Sequence, residues 1–189
     1  MTKRLFIAAD IDAATREQIA ALSRTVRESI APSVKASWVH PNRMHLTLRF
    51  FGAADAVTEE QIRAALASPI PMEPFDILLD GVGVFPERGS PRVLWVGIGD
   101  GREQLRRLYE TLRGLPGSSH EAFKPHLTLA RFRERVGRAE IAELGRIRAS
   151  AGPSRIDRVT LYESRLSPAG PAYLPLAEAP LTCPTSSSS

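Results

Sequence analysis

The chain has 189 residues, 43% of them hydrophobic and 24% charged, with a formal net charge of +4. That length and balance fit one ordinary globular domain, or two tightly joined half-domains, and exclude a disordered or fibrous chain. A single cysteine, Cys183, rules out an intramolecular disulfide and any cysteine-based zinc cluster, and it fits a reducing, cytoplasmic setting. The apolar stretch from Leu5 to Ala9 is too short for a signal-peptide core, and no apolar run approaches a membrane span. Arginine supplies 22 of the 25 cationic side chains. Its fork suits phosphate, so an anionic substrate or RNA is a candidate partner. No basic block or interleaved aromatic run accompanies it, so the excess reads first as compositional bias.

In chain order, Leu5 to Ala9 reads as a buried strand. Asp12 is an N-cap for a helix carrying Ile19, Leu22, Val26 and Ile30, which Pro32 ends. Lys35 to Val39 is extended, Pro41-Asn42 is a turn, and Met44 to Phe51 is a strand stopped at Gly52. Thr58 to Gln61 forms a capping box opening a short helix. Pro69, Pro71 and Pro74 mark a connector, followed by strands from Phe75 to Gly83 and Val93 to Ile98. Asp100 caps a helix whose Leu105, Leu108, Tyr109 and Leu112 form one apolar stripe. A strand from His126 to Phe132, a helix through Ile141, Leu144 and Ile147, and strands from Ile156 to Leu166 and Tyr173 to Leu176 complete the plan. Residues 182–189 are polar, end in four serines and are expected to be disordered, leaving 1–181 as the folded domain.

Each half reads strand, helix, loop, strand, helix, strand, which predicts an internally duplicated α+β fold. The duplication shows most clearly in one tetrapeptide. His45-Leu46-Thr47-Leu48 recurs as His126-Leu127-Thr128-Leu129, using two of only four histidines. Alternation along a strand points His45 and Thr47 one way and Leu46 and Leu48 into the core, and the same holds for the second copy. Paired side by side, the strands would place two imidazoles and two hydroxyls across one groove. An imidazole titrates near neutrality, so one histidine can accept a proton while the other donates one. Threonine hydroxyls can bind the non-bridging oxygens of a phosphate. A single His-x-Thr on a strand is commonplace and threonine favours strands by propensity, but here the polar pair itself is duplicated. Histidine zinc sites are disfavoured: His40 to His45 and His120 to His126 match no usual ligand spacing, and no Asp or Glu lies beside either pair.

With these motifs the sequence resembles the two-histidine (2H) phosphoesterases. Within them it is most similar to the bacterial and archaeal RNA 2′,3′-cyclic phosphodiesterases, also called 2′-5′ RNA ligases. The likeness runs from Arg4 to Leu176 and includes WVHPNRMHLTLRFFG (38–52), GVGVFPERGSPRVLWVGI (81–98) and FKPHLTLAR (123–131). The resemblance implies a bilobal fold with pseudo-twofold symmetry, antiparallel sheets lining a central cleft and helices outside. It also implies metal-independent, cofactor-free hydrolysis of an RNA terminal 2′,3′-cyclic phosphate to a 2′-phosphate. In that scheme His45 would protonate the departing 3′ oxygen, His126 would activate water, and Thr47 and Thr128 would hold phosphate oxygens. Arg131 matches an arginine of the family's second motif; strict alternation puts it on the Leu127 face, so a cleft role requires the strand to bend near Ala130. Arg49 has the parity of the groove, and Phe123 could stack on a nucleobase or pack in the core. Candidate partners are RNA ends, among them tRNA fragments, or small cyclic nucleotides, acted on by a monomer. The alternatives are 2′-5′ ligation of the cyclic end to a 5′-hydroxyl, another cyclic phosphate substrate, and a non-catalytic RNA-end binder.

Overall fold

A computed structural model describes residues 2–30, 34–117, 123–167 and 170–183, with side chains 138–140 also outside the description. The elements in order are β1 (Lys3–Asp10), α1 (Ala13–Ser29), β2 (Ala36–Trp38), a 3-10 turn (Pro41–Arg43), β3 (His45–Ala54), α2 (Ala56–Ala65), β4 (Ile70–Pro71), β5 (Phe75–Phe85), β6 (Val93–Ile98), α3 (Arg102–Leu112), β7 (Leu127–Phe132), α4 (Arg138–Leu144), β8 (Ser150–Ile156), β9 (Arg158–Ser167) and β10 (Gly170–Thr182). The fold is α+β and sheet-dominated.

The strands line up as β4-β10-β9-β1-β3-β7-β6-β5-β8, with β2 added on β7. Every pairing is antiparallel except the short β10–β4 contact. β3 and β7 share one aligned pair, Leu46 opposite Leu127. The assembly therefore consists of two half-sheets hinged at the repeated tetrapeptides. The expected duplication is visible in this order, since β3 and β7 meet at the centre with their neighbours β1 and β6 outside them. The half-sheets are not the two halves of the sequence: β1 and β3 share one with β9 and β10, whereas β5 to β8 make the other. Helices cross over too, α1 packing on β8 and α3 on β3. Leu5, Ile7, Leu46, Leu48, Leu94, Val96, Leu127 and Leu129 belong to the buried core, as their alternation predicts.

Asp12 caps α1 as expected, its carboxylate accepting from the Thr15 N–H at 2.7 Å. Other boundaries differ. Helix α2 starts at Ala56 because Asp55 is the cap and accepts from Thr58 N–H, so Thr58 is inside the helix rather than ahead of it. Helix α3 is capped by Gly101 at φ +80°, with no side-chain bond from Asp100. β3 does not stop at Gly52. The glycine takes φ +70° beside a register shift, and the strand continues to Ala54. Strand β8 is additional to the strands expected from the sequence and runs through Gly152-Pro153. Thr182 closes β10 opposite Pro71, so the chain stays ordered past residue 181, and the expected tail at 184–189 lies outside the described residues. Among the described residues no helix is long and apolar enough to cross a membrane.

Candidate active site

The 3-10 turn ends at Arg43 and delivers His45 as the first residue of β3, while His126 immediately precedes β7. Continuing the Leu46–Leu127 register by one residue each way puts His45 across from Thr128 and Thr47 across from His126. The two motifs thus form a diagonal quartet. His45, Thr47, Thr128 and Arg131 line one cleft of about 470 Å³, together with Phe6, Phe50 and Tyr173. His126 is outside that lining, beside Phe85 (5.0 Å, edge-on) and Trp95 (6.3 Å).

Both imidazoles are held in the same way. His45 Nδ1 lies 2.8 Å from the Arg43 carbonyl, and His126 Nδ1 lies 2.7 Å from the Lys124 carbonyl. A carbonyl only accepts, so in each ring Nδ1 carries the hydrogen, and in the neutral form Nε2 holds the free lone pair. His45 Nε2 is 3.1 Å from Thr47 Oγ1. Burial lowers the pKa of His45 first, with the charges of Arg131 and His126 acting the same way; the Arg43 carbonyl and Asp10 oppose this. Burial also lowers that of His126, with Arg131 adding to it and the Lys124 carbonyl opposing. A carboxylate therefore opposes the lowering at His45, and no charged group does so at His126.

Aromatic rings pack around His45. Phe6 stacks on it at 4.9 Å and Tyr173 meets it edge-on at 5.1 Å. Asp10 stands directly across from His45 in the β1–β3 ladder and accepts from Tyr162 Oη at 2.7 Å; burial first, and this bond next, raise the phenol pKa. Sequence reasoning missed Asp10, Phe6, Tyr162 and Tyr173. Only Phe6 and Asp10 carried a signal, since period two from Phe6 through Ala8 ends on a lone carboxylate that shares their face.

Arg131 does reach the cleft, by the bend it requires. The β6–β7 register jumps between Trp95–Thr128 and Leu94–Ala130, so Leu129 and Ala130 are both buried and Arg131 returns to the Thr128 face. Arg49 does not. A matching jump at Leu48 sends its side chain inside, where its guanidinium donates to the Leu112, Leu115 and Gly117 carbonyls. Phe123 stacks flat on Tyr109 at 4.5 Å, packs against the core and does not line the cleft. His40 is exposed and caps the 3-10 turn, its Nδ1 accepting from Asn42 N–H at 3.3 Å; His120 lies outside the described residues.

The profile of the 2′-5′ RNA ligase superfamily matches residues 12–167. An Archaeoglobus fulgidus protein named RNA 2′,3′-cyclic phosphodiesterase is 35% identical over 175 residues, spanning 90% of this chain and 96% of that protein. The crystal structure of E. coli LigT complexed with phosphate superposes with a TM-score of 0.72 at 31% identity, covering 96% of this chain and 98% of that one. TT0787 of Thermus thermophilus gives a TM-score of 0.75 at 28% identity, with 95% and 98% covered.

Proposed function

Since the chain belongs to the 2′-5′ RNA ligase superfamily, we propose that it hydrolyses RNA terminal 2′,3′-cyclic phosphates to 2′-phosphates through His45 and His126. The observation that carries this is the diagonal quartet, in which two oriented imidazoles and two hydroxyls face each other across the β3–β7 seam, with His45, Thr47 and Thr128 lining the cleft. A cyclic phosphate seated between the strands would accept hydrogen bonds from Thr47 and Thr128 at its non-bridging oxygens, with Arg131 balancing the charge. His126 Nε2 takes a proton from water as the water oxygen bonds to phosphorus. The P–O3′ bond breaks, and the O3′ electron pair takes the proton from His45 Nε2. The product is a 2′-phosphate with a free 3′-hydroxyl. Burial lowers both histidines, and the Asp10 carboxylate opposes that lowering at His45, so we assign His45 as acid and His126 as base.

The test is incubation, with EDTA present, of a short RNA ending in a 2′,3′-cyclic phosphate, with a 5′-hydroxyl RNA in a parallel tube. A 2′-phosphate product is expected, with turnover falling on the order of 100-fold or more in His45→Ala and in His126→Ala. A 3′-phosphate would reverse the leaving oxygen. A joined product would favour ligation, and activity that returns only with added metal would overturn the metal-independent scheme.

A further inference from the structure

Trp38 lines two hollows: the cleft on one side and a second cavity of about 480 Å³ on the other. The second is walled by Arg27, Lys35 and Arg133 over Ile30, Val34 and Trp38. The cations continue a row that begins in the cleft. On β7, Arg131 and Arg133 are two residues apart and both exposed, with Phe132 buried between them, so they share a face. Ser37 lies opposite Arg131 in the β2–β7 ladder and accepts from Arg133 Nε at 2.6 Å. The ladder runs on, with Arg133 N–H donating to the Lys35 carbonyl at 2.9 Å. Arg27, at the last turn of α1, closes the row.

Among the described residues no carboxylate pairs with Arg27, Arg131 or Arg133. Lys35 pairs with Glu134 at 2.9 Å, but both side chains are exposed, and such a pair contributes little and yields readily to a phosphate. A file of cations beside a partly exposed indole and an apolar floor is the chemistry that binds single-stranded nucleic acid, phosphates to the cations and a base to the ring. A terminal cyclic phosphate occupies both O2′ and O3′, so any further RNA leaves that nucleotide only through its 5′ oxygen. We propose that the Arg27–Lys35–Arg133 hollow holds the RNA segment on the 5′ side of the terminal nucleotide, with a base on Trp38. This rests on the reading of the cleft as the seat of the cyclic phosphate, and it makes the protein favour RNA ends over free cyclic nucleotides.

The experiment compares a nucleoside 2′,3′-cyclic phosphate with a six-nucleotide RNA bearing the same end, in wild type, Arg27→Glu and Arg27→Ala/Arg133→Ala. For the hexamer, KM should rise about tenfold in the double variant with kcat retained. Its log–log salt slope should also flatten by about 1.4, two lost contacts of about 0.7 each. The mononucleotide should show the wild-type KM and kcat, which also verifies folding. Equal KM changes for both substrates, or no change for the hexamer, would overturn the proposal. Binding of a 5′-labelled hexamer, read by fluorescence anisotropy, separates the two readings. If wild type turns over neither substrate, the cleft reading fails, while a Kd that rises in both variants still supports the hollow and an unchanged Kd refutes it.

Discussion

Asp10 stands across from His45 in the β1–β3 ladder, and no carboxylate acts on His126 in the same way. It is held by Tyr162 Oη at 2.7 Å and Thr160 Oγ1 at 3.4 Å, so it cannot easily turn away from His45. The consequence is legible in a pH profile. A general base must be unprotonated, so the acidic limb of kcat/KM follows His126, whose pKa burial and Arg131 bring below the ordinary value. A general acid must be protonated, so the alkaline limb follows His45. Removing the carboxylate takes away a group that raises the His45 pKa. Asp10→Asn, which preserves the acceptor for Tyr162, should therefore move the alkaline limb to lower pH and leave the acidic limb in place. If the acidic limb moves instead, the roles of the two histidines are exchanged; if neither moves, Asp10 has no electrostatic part in the reaction.

At the scale of elements, the same irregularity occurs in both central strands. The last leucine of each tetrapeptide, Leu48 and Leu129, is the extra residue of a bulge, so the two residues Leu48-Arg49 and Leu129-Ala130 are buried in succession. One position further on, Phe50 and Arg131 emerge at the cleft from corresponding places. A period-two reading carries across neither bulge, which is why it placed Arg49 in the groove and needed a bend for Arg131. Arg49 instead fastens β3 to the end of α3 and the loop after it through three carbonyls. Arg49→Met fills similar space without donors and leaves those carbonyls unsatisfied. It should lower the unfolding free energy by about 2–4 kcal/mol in urea titration, with kcat per folded molecule unchanged. A loss of kcat without a loss of stability would return Arg49 to the site. The four polar residues of the motifs were legible because each precedes its bulge, where alternation still holds. So were β1, β6 and the stripe of α3, whose apolar patterns are uninterrupted. Tyr162 and Tyr173 were not, and Asp10 only as a carboxylate on the Phe6 face, because their proximity to His45 arises from strand order, β10-β9-β1-β3, which no local pattern encodes. Trp95 is a similar case: a Cβ on Gly83 would come within 2.2 Å of its ring, so that glycine is needed for the indole to lie beside His126, yet nothing in the sequence pairs the two.

On the scale of the whole molecule, the half-sheets share one aligned backbone pair yet are bound by crossings of the chain. Helix α1 follows β1 out of one half-sheet and docks on β8 of the other, where Asp12 N–H donates to the buried Ser154 Oγ at 2.9 Å and Gln18 accepts from Gly152 N–H at 2.8 Å. Helix α3 crosses in the opposite sense and is held by Arg49. β9 and β10 then return the end of the chain to the half-sheet that began it. Each half-sheet loses one covering helix, α1 or α3, if the other comes apart, so the two should unfold together. Both tryptophans, Trp38 on β2 and Trp95 on β6, belong to the half-sheet of β7, whereas far-ultraviolet circular dichroism reports on both. Urea unfolding followed by tryptophan fluorescence and by dichroism should therefore give coincident midpoints and one transition. The same coupling bears on the cleft, because His45 and His126 stand on opposite sides of the single shared pair and keep their spacing only while both halves are folded. A fluorescence midpoint displaced from the dichroism midpoint would mean that the halves unfold separately. In that case turnover should follow whichever half is lost first.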